Sequence, residues 1–179
     1  IADPLIALLV RHAEAADDYL EFRGIVESSA AALAAIRATD VELDRIRVCL
    51  DRMDRAHTDA DANEETEADA ELHLVIYEAS HNLTLLQIMQ ALSGVLRSDV
   101  IHNRDRLYAV PAIRELLREQ HHAIANAIIA RDSNAARQAA DEHISYLRQA
   151  SHEIRKAQAR LDLSLRRLNG GSTKGRIVR

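Results

Sequence analysis

Four side chains of metal-ligand type lie at positions where helical periodicity turns them toward an apolar face. In the segment EADAELHLVIYEASHN, residues 67–82, apolar residues recur at three- and four-residue steps, and an Asp and a His sit one turn apart along that stripe. Two further histidines fall on the apolar stripes of two later helices. The candidates, drawn from three helices, are Asp69, His73, His121 and His143.

Taken singly, each histidine is better explained as a hydrogen-bonded core residue, but their joint burial is harder to explain. Each group would lose its hydration and would need its own hydrogen-bond partner, whereas one divalent cation satisfies all of them. Imidazole nitrogens and a carboxylate suit Zn²⁺, Ni²⁺, Mn²⁺ or Fe²⁺, and geometry alone does not select among them. Four protein ligands would close a tetrahedral site, whereas an octahedral ion would keep two positions open for water or a bidentate carboxylate. This second case predicts a receptor for a small organic acid.

Two residues could bind the carboxylate of such an acid. Arg23 lies on the apolar stripe of the first long helix, and a guanidinium can bind a carboxylate through two parallel hydrogen bonds. The alternative for Arg23 is a salt bridge to Glu27, four residues on. Asn103, like Asp99, extends a later stripe into polar territory, where it either lines the same cavity or marks the point at which the helix reaches solvent.

The composition predicts the helices that must position these groups. Hydrophobic residues make up 47% of the 179 residues and aromatic residues only 3%, with five Gly and two Pro, which favours an all-α, antiparallel bundle in one domain. Caps and breakers predict six or seven helices, and the polar run HTDADANEET, residues 57–66, is predicted to be a linker. The principal predicted helices are 17–38, one starting after a Thr39 cap, one containing Asp69, 83–107, 111–130 and one from 132 or 133 to 168.

Charge and cysteine content limit the function classes. The net charge is −5, and because the last 28 residues carry eight basic against two acidic residues, the rest of the chain is still more acidic and repels phosphate. Cys49 is the single cysteine, which favours a reducing cytoplasm. No apolar run approaches the length of a membrane span, and no signal peptide opens the sequence.

Three segments resemble the C-terminal ligand-binding FCD domain of FadR-like regulators in the GntR family. They are YLEFRGIVESSAAALAA, EADAELHLVIYEASHN and EQHHAIANAIIARDSNAARQAADEHISYL, and they contain a D-x3-H…H…H pattern. The resemblance implies a divalent metal on Asp69, His73, His121 and His143, a carboxylate effector beside it, a homodimer, and no enzymatic activity. HLVIYEASHNLTLLQIMQAL and HNRDRLYAVP are most similar to lactate-, pyruvate- and glycolate-responsive members, with L-lactate the first candidate.

The same resemblance implies that operator DNA is contacted only through an N-terminal winged helix-turn-helix domain, absent from this sequence. Residues 1–16 are then expected to form the linker or a first short helix, 17–168 the metal- and effector-binding domain, and 169–179 a disordered basic tail. Two alternatives remain open. One is a metalloenzyme, since Glu78 with His81 and Glu119 with His122 have the ExxH spacing of di-iron bundles, although the second pair falls on a polar face. The other is a purely structural zinc.

Overall fold

The computed structural model describes residue 7 and residues 12–92 and 110–171, which contain helices and no strand. The prediction of an all-α bundle is therefore confirmed. The helices are α1 (Ala13–Arg37), α2 (Asp40–Thr58), α3 (Ala62–Ala79), α4 (Leu83–Ala91), α5 (Pro111–Ile129) and α6 (Ser133–Gly171).

Helix α1 runs through the middle of the bundle and contacts α3, α5 and α6. Its pairing with α6 is antiparallel, because Asp17 binds Arg155 at 2.5 Å and Glu21 binds Arg148 at 3.4 Å. The two helices approach closely at Gly24, where an added Cβ would lie 3.5 Å from Ile144. The inner face of the second half of α1 is buried through small side chains, which let neighbouring backbones come near: Ala30, Ala31, Ala34 and Ala35.

Local capping chemistry fixes the helix starts, and it explains one wrong prediction. Thr39 caps α2 in a reciprocal capping box with Glu42, as predicted. The run 57–66 is not a linker, because α2 continues to Thr58 and α3 already begins at Ala62. The side chain of Asp61 accepts hydrogen bonds from the backbone N–H groups of Asn63 and Glu64, so a polar segment that resembles a loop starts a helix.

Other predicted boundaries need smaller changes. The first helix begins at Ala13 rather than Asp17, and the last extends to Gly171 rather than Leu168. The helix predicted over residues 83–107 ends at Ala91, with Leu92 as its C-cap. Residues 93–109, which include the rest of that predicted helix, and residues 172–179 of the predicted tail lie outside the described residues.

Three corners between consecutive helices use a left-handed residue that is not glycine. Ala60, His81 and Arg131 have φ values of 57°, 50° and 61° at the α2–α3, α3–α4 and α5–α6 corners. Glycine is the usual residue at such helix ends, because a Cβ in this conformation costs free energy. His81 and Arg131 have contacts that offset this cost, since His81 binds Glu42 at 2.9 Å and Arg131 reaches the carbonyl of Ala38 at 2.5 Å.

Candidate metal centre

Three buried histidines converge from three different helices. His73 comes from α3, His121 from α5 and His143 from α6, and each is no more than 4% exposed. One ring nitrogen from each lies within 4.8 Å of the others. The ring centroids of His121 and His143 are 4.5 Å apart, and those of His73 lie 5.5 and 5.7 Å from them. The helical phase used in the sequence analysis therefore brings these imidazoles to one point.

Asp69 lies at the edge of the same cluster. It is 5% exposed, and its Oδ1 is 2.5 Å from Nε2 of His121 and 3.6 Å from Nε2 of His73. One turn of α3 separates Asp69 from His73, so both side chains leave the helix on the same face. A carboxylate oxygen thus stands beside two of the three imidazoles.

A second carboxylate, Glu27 of α1, holds His73 from the opposite side. Its Oε2 is 3.0 Å from Nδ1 of His73, while its Oε1 accepts a hydrogen bond of 2.7 Å from Nε of Arg23. Glu27 and Arg23 are each only 4% exposed. This buried Arg–Glu–His chain fixes the Nδ1 proton of His73 on the Glu27 side, which leaves Nε2 to face His121 and His143.

The charges of Arg23, Glu27 and His73 shift one another's pKa values. Burial by itself would raise the pKa of Glu27, but Arg23 and His73 hold the pKa of that carboxyl well below its usual range. Burial would lower the pKa of His73, but the carboxylates of Glu27 and Asp69 outweigh it and raise the pKa to about 9. The positive charge on His73 thus neutralises part of the negative charge of Glu27 and Asp69. A bound metal cation would do the same in its place.

His143 has the opposite tendency. Burial, together with the neighbouring His121 and His73, holds the pKa of His143 well below its usual value, so this ring is neutral at pH 7. Its Nδ1 donates a hydrogen bond of 3.1 Å to Oε1 of Gln120, which fixes the tautomer and leaves the lone pair on Nε2. Neutral imidazole is the form that binds a metal ion.

The donor set fits a divalent metal ion. Nε2 of His73 is buried and has no hydrogen-bond partner within the part of the chain that the structure describes. Buried ring nitrogens are normally hydrogen-bonded, so one that makes no hydrogen bond, lies 3.6 Å from the Asp69 carboxylate and faces two other imidazoles is placed as a metal ligand would be. Three imidazole nitrogens with an adjacent carboxylate are ligands that Zn²⁺, Ni²⁺, Mn²⁺ and Fe²⁺ accept. A metal here would supply a Lewis-acidic centre for an oxygen ligand.

Of the two residues predicted to bind an effector, Arg23 and Asn103, the structure describes only Arg23. Arg23 is buried, but it forms the salt bridge with Glu27 that was the alternative in the sequence analysis. Asn103, like Asp99, lies outside the described residues. Sequence reasoning assigned no part in the centre to Glu27 or Gln120. The only signals were that Glu27 is four residues from Arg23 and that Gln120 precedes His121.

The ExxH pairs of the metalloenzyme alternative lie apart from this centre. His122 binds Asp54 at 2.8 Å, His81 binds Glu42, and Glu78 binds Arg45 at 2.5 Å. Glu119 is exposed on α5. Because three of these four residues are engaged in surface ion pairs, the geometry does not favour a di-iron site.

Comparison with known proteins identifies the domain family to which this helical bundle belongs. Residues 18–146 match the model of the FCD domain. A regulatory protein of the L-lactate dehydrogenase operon of Escherichia coli (strain K12) is 38% identical over 160 residues, which are 89% of this chain and 60% of that protein. The Glc operon transcriptional activator of the same strain is 29% identical over 154 residues, 84% of this chain and 61% of that protein.

The fold is also similar to solved structures. E. coli McbR/YncC superposes with a TM-score of 0.65 at 21% sequence identity, over 78% of this chain and 69% of that chain. Because the FCD domain model matches residues 18–146 and a relative is 38% identical over 89% of this chain, the chain belongs to the FCD domain family, as the resemblance to FadR-like GntR regulators implied. The relatives are regulators by name, which agrees with the expectation that the domain is not an enzyme.

The chain spans about 60% of the length of the curated relatives it matches. In the described ranges, no helix combines the length and the hydrophobicity needed to cross a bilayer.

Proposed function

We propose that this FCD domain senses a small carboxylate through a bound divalent metal, and that it thereby controls DNA binding by the intact regulator. Asp69, His73, His121 and His143 would hold the metal, with Zn²⁺ the first candidate. The observation that carries this proposal is the convergence of three buried imidazoles, with ring nitrogens within 4.8 Å of one another. An intact regulator of this kind acts in the cytoplasm and contacts operator DNA through a separate N-terminal domain.

The effector we propose is a hydroxy- or keto-carboxylate, with L-lactate first. A relative with 38% identity is named for the L-lactate dehydrogenase operon, which supports this choice. Such an acid offers a carboxylate and a neighbouring oxygen, and both can bind one metal ion. Arg23 and Asn103 would contact the carboxylate, so binding requires Arg23 to exchange part of its contact with Glu27. The effector can shift the regulator only by binding one arrangement of the intact protein more tightly than another.

A structural metal is the second candidate, and the Arg23–Glu27 salt bridge favours it. If Arg23 stays bound to Glu27 at 2.7 Å, it offers no free cation to an effector. The two candidates differ in their response to small carboxylates, since a purely structural site does not respond.

Metal analysis of paired histidine variants tests the centre. We expect His121→Ala to lose the metal, because His121 points into the cluster at 1% exposure. His122→Ala is the matched control, since its ring lies on the outer face and binds Asp54. Equal loss from both variants, or full retention by His121→Ala, would contradict the proposed ligand set.

Thermal unfolding with L-lactate, D-lactate, pyruvate and glycolate tests the sensor. A ligand at 100 times its Kd stabilises the domain by about 2.7 kcal/mol. For a chain of this length that corresponds to a rise in Tm of roughly 5–10 °C. The rise should disappear in His121→Ala and persist in His122→Ala. No response of the metal-loaded protein to any of the four acids would leave the structural metal as the function of the site.

A further inference from the structure

A buried tyrosine hydroxyl beside the metal centre has no partner in the described part of the chain. Tyr77 lies on α3, one turn after His73, and is 2% exposed. The ring centroids of Tyr77 and His73 are 6.4 Å apart. The phenol oxygen of Tyr77 is buried and makes no hydrogen bond to any residue that the structure describes. A buried hydroxyl without a partner has lost its hydration and gained nothing in return, so its presence here needs a reason.

This hydroxyl lies in the electric field of the buried Arg23–Glu27 pair. Burial raises the pKa of Tyr77 well above its usual value, the Glu27 carboxylate raises it further, and Arg23 opposes the rise. The phenol is therefore protonated at neutral pH and can donate a hydrogen bond. A carboxylate is acceptor-only, so a protonated phenol next to Glu27 is a donor that matches it.

Both oxygens of Glu27 already have partners in the described structure. Oε1 accepts a hydrogen bond of 2.7 Å from Nε of Arg23, and Oε2 lies 3.0 Å from Nδ1 of His73. The effector contact proposed above requires Arg23 to give up part of its bond to Glu27. Oε1 would then lack its donor in a side chain that is only 4% exposed, which is unfavourable for a buried ionised carboxylate. Another donor must therefore replace Arg23 at Oε1.

We propose that Tyr77 is a positioning residue of the effector site, whose phenol donates to Oε1 of Glu27 when Arg23 turns to the effector carboxylate. This role rests on the proposed sensing function and deepens it, because it names the group that makes Arg23 available. A hydrogen bond from a hydroxyl to a carboxylate is charge-assisted and strong, so it compensates for the lost bond from Arg23. Oε2 stays on His73 throughout, so the orientation of this predicted metal ligand does not change.

A tyrosine that only fills volume beside His73 would behave differently. Phenylalanine keeps the ring and its packing, so in that case Tyr77→Phe would leave the binding of acids unchanged. The two roles agree on the acid-free protein, where the substitution removes an unpaired buried hydroxyl and should not lower the Tm. They differ only in the affinity for the effector, which is therefore the quantity to measure.

Isothermal titration calorimetry of the Zn²⁺-loaded protein with L-lactate, D-lactate, pyruvate and glycolate measures this affinity. We expect Tyr77→Phe to raise the Kd of the acid that binds the unaltered protein by about tenfold or more, because Glu27 then lacks its replacement donor. The Zn²⁺ content and the Tm without acid should not fall. Tyr146→Phe is the matched control, since Tyr146 lies on α6 and burial alone raises the pKa of its hydroxyl. This variant should keep the Kd of the unaltered protein.

A near-ultraviolet difference spectrum detects the new hydrogen bond directly. The sequence contains four Tyr and no Trp, so changes in this absorption band report on tyrosine. A phenol that begins to donate to a carboxylate absorbs at longer wavelength. We expect this shift when the acid is added to the unaltered protein and to Tyr146→Phe, and we expect it to be absent in Tyr77→Phe.

The outcomes separate this role from the sensing function itself. If the unaltered protein and Tyr77→Phe bind the acid with equal Kd, the role of Tyr77 is overturned and the sensing function stands. A spectral shift that survives in Tyr77→Phe, or an equal rise of Kd in Tyr146→Phe, would also overturn it. If none of the four acids binds the unaltered Zn²⁺-loaded protein, the sensing function fails and the role of Tyr77 fails with it.

Discussion

The contact between Glu27 and His73 gives the most specific prediction about the metal centre. Glu27 accepts a hydrogen bond from Nε of Arg23 at 2.7 Å, and its other oxygen lies 3.0 Å from Nδ1 of His73. In Glu27→Gln a single acceptor oxygen remains for these two donors. His73 then loses the carboxylate that orients its ring and raises its basicity. Removing such an outer partner weakens metal binding by about 10- to 100-fold, or roughly 1.4–2.7 kcal/mol.

The same substitution leaves the buried cation of Arg23 without its counter-ion. An uncompensated buried charge costs about 3–5 kcal/mol of stability, so metal loss in Glu27→Gln could follow from partial unfolding. The double variant Arg23→Met with Glu27→Gln separates the two effects, because it removes both buried charges. We expect it to recover most of the stability while it binds Zn²⁺ at least tenfold more weakly than the unaltered protein.

Competition with a chromogenic chelator measures the Zn²⁺ affinity, and urea unfolding of the metal-free protein measures the stability. Glu21→Gln is the control on the same helix, since Glu21 is exposed and pairs only with Arg148 at 3.4 Å in the described structure. It should change neither quantity appreciably. Unchanged Zn²⁺ affinity in Glu27→Gln would refute the orienting role. Full recovery of affinity in the double variant would assign the effect to the unpaired Arg23 charge instead.

Two further predictions concern stability. Ala60→Gly should raise the free energy of unfolding by about 0.5–1 kcal/mol, because Ala60 has a φ of 57° and glycine adopts this conformation without a Cβ clash. Urea unfolding measures this, and a lower free energy of unfolding in the variant would contradict the prediction. Burial opposes the lowered pKa of Glu42, but hydrogen bonds from Thr39 and His81 outweigh it, so Glu42 stabilises the fold above pH 4.5 and this contribution disappears as pH falls. Glu42→Ala should therefore lower the free energy of unfolding by about 1 kcal/mol at pH 7 and by much less at pH 3. An equal loss at both pH values would exclude a contribution from the charged carboxylate.

The sequence predicts the direction of the key histidines because helical phase is a local property. His121 and His122 are adjacent, yet the stripe that contains Leu117 and Ile124 places only the first of them inward. The structure agrees, since His121 is 1% exposed and His122 binds Asp54 on the outer face. Turn chemistry was equally readable at Thr39, where the capping box involves residues only three positions apart.

The wrong linker prediction shows where local patterns fail. Residues 57–66 are polar, but His57 binds Glu65 at 2.8 Å and Glu65 binds Arg114 of α5 at 2.6 Å. Glu65 is 2% exposed, so a charged side chain in this run belongs to the interior. The partner that makes its burial possible is 49 residues away in sequence. A pattern of apolar residues cannot anticipate a buried ion pair between distant helices.

The role of Glu27 was missed for the same reason, because its contact with His73 joins two helices that are distant in sequence. Local spacing pairs Glu27 with Arg23, but the contact with His73 appears only when α1 packs on α3. Glu27 and Gln120 each engage the Nδ1 of one histidine, so the Nε2 atoms of His73 and His143 are left to face the centre. Helix α1, which supplies no predicted metal ligand, thus sets the tautomer of His73. The metal affinity of this domain should therefore depend on how firmly α1 is packed against α3, because that packing keeps Glu27 in contact with His73.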